Sequence, residues 1–148
     1  MIFRDLETLY AELDERLAGL DFQCRKDGAC CRFGESGIRL YISCLEACYL
    51  FGKETQSDVA ALATDFAAMA VDFSVPAATD CPFQSGDVCS RRRERTLGCR
   101  IYVCDSSLDR EISALYEEFH GRVRRLHEKY GIEYLYRDIR DWDRFFGG

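Results

Sequence analysis

The sequence predicts a mainly helical domain wrapped round a cysteine-rich loop core, with short strands at most and a small α+β arrangement as the alternative. Three observations carry that expectation. Apolar residues recur at three- and four-residue steps near both ends of the chain, the pattern of amphipathic helices. Strand-like alternation is confined to two short runs. Between the helical ends lie nine cysteines, four of which (Cys81, Cys89, Cys99 and Cys104) are separated by only seven, nine and four residues. A length of 148 residues fits one domain spanning 1–148 with a modest core of its own.

Taken in order, residues 3–20 form an amphipathic helix, with Phe3, Leu6, Tyr10, Leu13, Leu17 and Leu20 on one face and Asp, Glu and Arg between them. A cysteine core follows over residues 22–104. Its first part has neither helical nor strand period, but Asp27-Gly28 marks a turn that folds Cys24 back towards Cys30 and Cys31. Residues 38–42 alternate like a half-buried strand. Ser43 then caps a helix, with Glu46 three residues on completing a capping box. Cys44 and Cys48 share one face of that helix and read as small core residues rather than extra ligands.

A further helix opens at Ser57 or Asp58, carries Val59, Leu62, Phe66 and Met69 inward, and ends before Pro76. In the cysteine segment beyond it, Pro82, Gly86 and Gly98 supply turns. Ser106 or Ser107 caps a long helix over 107–130 whose apolar stripe runs from Leu108 through Leu115, Phe119 and Val123 to Tyr130. Packing on its own domain is the expected use of that stripe, and Gly131 is placed to end the helix in the left-handed conformation. His120 and His127, seven apart on about one face, read as exposed polar residues. Residues 132–136 suggest a short strand, and Trp142, Phe145 and Phe146 an aromatic anchor for the tail.

Composition narrows the function classes. A formal charge of -6 argues against general nucleic-acid binding. Charges in the first seven residues break up any secretory leader, and Thr64 and Asp65 interrupt the most apolar stretch, so neither export nor a membrane span is expected. That points to a cytoplasmic protein. Disulfides are rare in a reducing cytosol and an odd number of cysteines cannot pair fully, so metal ligation is the expected use of the thiols.

Seven thiols are the candidate ligands: Cys24, Cys30, Cys31, Cys81, Cys89, Cys99 and Cys104. They exceed one tetrahedral zinc site and fall short of two, so shared thiolates, Asp27, a histidine or water would make up the difference. Equally, four of them could hold an iron-sulfur cluster. Neither the paired knuckles of a zinc ribbon nor the closely spaced ferredoxin run is present, so the spacing leaves zinc and iron open. Arg91, Arg92, Arg93, Arg95 and Arg100 lie among the second group of cysteines, and Arg95 and Arg100 are placed to offset the negative charge of a thiolate centre.

Those residues resemble the bacterial YkgJ-like cysteine-cluster family, described as a zinc- or iron-chelating domain. The resemblance rests on Gly28-Ala29-Cys30-Cys31-Arg32 with Cys24 before it, on Cys81-Pro82-Phe83 and Cys89, and on Arg95 to Cys104 with Cys99-Arg100-Ile101-Tyr102. It covers about residues 22–104. Asp27 stands where the family often has a cysteine, and Thr96 where a proline often follows the arginine. The resemblance implies metal binding. It implies no settled reaction, although related cysteine motifs occur in a flagellin lysine methylase in which an iron-sulfur cluster is implicated.

The expected function is therefore a cysteine-cluster protein binding zinc or iron through two separated thiol groups. Its rival is a metal- or iron-sulfur-dependent enzyme, redox or group-transferring, with an open coordination site near Asp27. A third reading is a scaffold that presents the long helix, or Tyr134, Trp142 and Phe145, to a protein partner.

Overall fold

The computed structural model describes residues 1–20, 40–53, 56–69, 81–85, 88–102 and 106–146. Six α-helices and two small two-stranded sheets make up the described part, so the fold is mainly α with a few short strands. The helices are α1 (Ile2–Ala18), α2 (Cys44–Leu50), α3 (Gln56–Ala68), α4 (Leu97–Ile101), α5 (Asp109–Tyr130) and α6 (Ile139–Phe146). The strands are β1 (Tyr41–Ser43), β2 (Gln84–Ser85), β3 (Val88–Cys89) and β4 (Tyr136–Asp138). Among the described residues no helix is long and apolar enough to cross a membrane.

α1 forms where its periodicity places it and buries Leu6, Leu9, Tyr10, Leu13 and Leu17, packing on α5 and α4. Each fully buried leucine contributes about 1.5–3 kcal/mol, so this face alone fixes the helix to its neighbour. α5 answers with Leu115, Phe119, Val123 and His127, four apart along one stripe. That stripe meets α1 and α4, so the long helix packs on its own domain as expected. Gly131 ends it with φ +65°, a backbone setting that side chains other than glycine's rarely adopt. At its other end the sequence expectation shifts: residues 106–108 form a 3₁₀ turn, and Leu108 stands at the N-cap position without a side-chain cap.

The second expected strand is displaced. Backbone groups of residues 132–135 are engaged by helix ends instead of a ladder: Ile132 N–H donates to His127 O, and Cys44 N–H to Leu135 O. The ladder forms one step later, where β4 pairs antiparallel with β1 in the register Tyr41 to Asp138, Ile42 to Arg137 and Ser43 to Tyr136.

Past it, the aromatic tail is a helix that the sequence reading did not anticipate. Asp138 Oδ1 accepts the Arg140 N–H at 2.9 Å and starts the first turn, and Ile139 and Trp142 turn inward. Trp142 is fully buried, stacked on Phe66 at 3.9 Å between centroids and donating through its indole N–H to Ile42 O. A buried tryptophan holds its own chain together. It is not available to a partner, which removes one of the three residues named for the scaffold reading.

Candidate metal centre

The described part of the second cysteine group is a segment locked in place by polar contacts. Arg100 is its hub: Nε donates to Arg95 O and Nη2 to Arg93 O, each at 2.7 Å, while Nη1 pairs with Asp14 Oδ2 at 2.7 Å. The same guanidinium lies 4.3 Å over the Tyr10 ring, so α1 supplies both a carboxylate and an aromatic face. Arg100 was expected to balance thiolate charge. Its donors here bind two carbonyls of its own segment and α1, which gives the segment its shape.

A second anchor comes from α2. Ser43 caps that helix as its sequence predicts, accepting the Glu46 N–H through its side chain. The Glu46 carboxylate also reaches across the core: Oε2 accepts the Tyr10 hydroxyl and the Leu97 N–H, each at 2.7 Å. Only 3 % exposed, Glu46 has its pKa raised by burial, against which the Leu97 amide, the Tyr10 hydroxyl, the Ser43 amide and Arg100 favour the ionised form. A cue to this role exists in the sequence, where Glu46 is the one charged residue in the run Cys44-Leu45-Glu46-Ala47-Cys48-Tyr49-Leu50.

Gly98, expected in a turn, is instead inside α4. A Cβ there would come within 2.6 Å of Leu40 Cδ1, so the glycine serves close packing of the helix against residue 40.

Three of the seven candidate thiols fall among the described residues. Cys99 is half-buried in α4, and the Thr96 hydroxyl donates to its sulfur at 3.4 Å. Arg95 has its charge disfavoured by burial and by Arg92 and Arg100, and favoured by Cys99 and Asp14, so guanidinium and thiol are electrostatically complementary. A hydroxyl donor and an adjacent cation are the surroundings in which a thiolate ligand is stabilised. Cys81 is buried beside the β2–β3 hairpin, and Cys89 in β3 pairs with Gln84. Phe83, between them, sets its ring edge on Phe51, which also contacts Phe146, tying the hairpin to the tail.

No disulfide joins any two of the five described cysteines. Among the described residues no three His, Cys, Asp or Glu side chains come together to hold a metal ion, so Cys81, Cys89 and Cys99 with their described neighbours do not make a closed site. Cys24, Cys30, Cys31, Cys104 and Asp27 lie outside the described residues. Among the described candidate thiols, Cys99 has a hydroxyl donor on its sulfur and an electrostatic link to an arginine, the kind of donor set a thiolate ligand would use.

Cys44 and Cys48 take the core role. Both are fully buried, and the Cys44 thiol is pushed well up by its hydrogen bond with Cys48 and by burial, so it stays protonated.

The histidines depart from expectation. His120 is half-buried, its Nε2 sharing a hydrogen bond with the Tyr134 hydroxyl at 2.8 Å. His127 is 1 % exposed; among the described residues its ring nitrogens meet no partner at full hydrogen-bond geometry, although the backbone of Glu133 and Ile132 lies close enough to favour its charged form. Burial holds it neutral, with its pKa pushed down to about 4. The reason lies at the helix end: Gly131 turns the chain back, and Ile132 to Leu135 cover the face that carries His127.

No family model, curated protein or solved structure matches this chain.

Proposed function

We propose that this protein is a cysteine-cluster metal binder of the kind it resembles. Zinc or iron, as single ions or an iron-sulfur cluster, would be held by thiolates from Cys24, Cys30 and Cys31 together with Cys81, Cys89, Cys99 and Cys104. The observation that carries the reading is the setting of Cys99: its sulfur accepts the Thr96 hydroxyl, is electrostatically linked to Arg95, and rides on a segment fixed by Arg100 and Glu46. Cys44, by contrast, is a buried thiol that Cys48 and burial keep protonated. When bound, zinc would cross-link distant segments, and an iron centre would add electron transfer.

Elemental analysis with an absorption spectrum of anaerobically purified protein gives metal type and stoichiometry together. Zinc would be colourless, and an iron-sulfur cluster coloured. Cys99→Ser is expected to lower bound metal and thermal stability together. Wild-type protein without metal, or Cys99→Ser with undiminished metal, overturns the reading.

A further inference from the structure

We infer that Glu46 is a positioning residue for Cys99, holding the helix that bears the thiol at the orientation from which it ligates. This rests on the metal-binding reading above and names the group through which the core acts on that site. Three elements meet at one buried oxygen. Tyr10 of α1 and the Leu97 amide of α4 both donate to Glu46 Oε2, and Glu46 itself stands in the capped first turn of α2. Leu97 is the first residue of α4 and Cys99 the third. With five residues and no side-chain cap of its own, α4 is too short to hold its shape unaided. Its first amide is fixed from outside by Glu46, and its glycine packs against Leu40. Thr96, the residue before it, is fully buried and donates to the Cys99 sulfur, so the same anchor also sets the ligand's hydrogen-bond donor. Losing the carboxylate would leave the Leu97 amide buried without its acceptor and let this turn open locally.

Mass-resolved alkylation by iodoacetamide, on the full chain with any bound metal removed by chelation from wild type and variants alike, reads each thiol separately. Glu46→Leu should speed alkylation of Cys99 about tenfold, the opening expected when one buried hydrogen bond is lost, and leave Cys81 and Cys89 within about twofold of wild type. Glu46→Gln, whose amide oxygen still accepts the Leu97 N–H, should restore the wild-type rate. Metal affinity should fall about tenfold to a hundredfold in Glu46→Leu and be largely kept in Glu46→Gln. Should Glu46→Leu fail to fold, Tyr10→Phe removes only the hydroxyl and should speed Cys99 about threefold with the other two thiols unmoved. Acceleration of all three thiols alike, no acceleration at Cys99, or a Glu46→Gln rate equal to that of Glu46→Leu overturns the inference. Wild-type protein without metal would instead remove the metal-binding reading, and the alkylation pattern would still decide what Glu46 does for Cys99.

Discussion

Residues 93–101 and the β4–α6 tail both dock on the same core, and they are held in opposite ways. The first is fastened by directed bonds: three guanidinium donors of Arg100 hold two carbonyls and the Asp14 carboxylate, and one carboxylate oxygen of Glu46 holds the Leu97 amide. The second also has its ladder to β1 and the Trp142 bond to Ile42, but its side chains are fastened chiefly by area. Trp142 stacks on Phe66, Phe145 meets both, and Phe146 reaches Phe51. Directed bonds set where a few atoms lie, and apolar area sets how firmly an element stays. A segment that must present a sulfur at a fixed angle has the first kind of fastening, and a segment that only closes the core has the second.

The largest test of that contrast removes area. Trp142→Ala deletes a fully buried ring and is expected to cost about 3–5 kcal/mol, read from urea unfolding followed by circular dichroism, since the chain's one tryptophan is the one removed. Cys99 alkylation in the folded fraction should stay at the wild-type rate, because its anchors are Glu46 and Arg100. A loss below about 1.5 kcal/mol would mean that the tail is not held by area.

A buried polar group on α5 should answer to acidity. His127 titrates at about 4 in the folded chain against an ordinary value of 6.5. Between those values the unfolded chain binds a proton that the folded chain refuses, so the stability is complete above about pH 6.5 and falls as pH drops towards 4. The gap corresponds to about 3 kcal/mol. His120, also lowered by burial and by Arg124, moves stability in the same direction. His127→Leu, which removes the buried nitrogens while keeping an apolar side chain, should flatten most of the slope between pH 4 and 6.5. A slope unchanged in that variant would place the acid sensitivity elsewhere.

Much of the fold could be read in advance because its causes are local. α1, the Ser43 cap, α3, α5 and the Gly131 terminator follow from spacing and end signals within a few residues. What could not be read depends on distance along the chain. Glu46 was legible as half of a capping box, but its bonds to Tyr10 and Leu97 cross 36 and 51 residues. His127 looked exposed because its helix is polar around it, and the cover comes from the chain beyond Gly131. The same holds for the candidate centre. The cysteine spacings marked Cys99 as a candidate ligand, and Thr96 and Arg95 lie only three and four residues before it; what distance hides is the pairing of Arg100 with Asp14 across 86 residues.

Gly98 gives the smallest effect and the finest division between the two kinds of fastening. In an isolated helix Gly→Ala gains about 0.5–1 kcal/mol of backbone propensity. Here the new methyl would meet Leu40 Cδ1 at 2.6 Å, and Leu40 is itself buried, so overpacking of about 1–3 kcal/mol opposes the gain and a net loss of about 1 kcal/mol is expected. Leu40→Ala in the same chain removes the obstructing atom, and the double variant should then recover the propensity gain that the single one loses. A double-mutant cycle of urea midpoints measures this as a favourable coupling of about 1 kcal/mol or more. If Gly98→Ala is neutral alone and uncoupled from Leu40, the short helix is free to shift, and the directed bonds from Glu46 and Arg100 do not fix Cys99 as tightly as their distances imply.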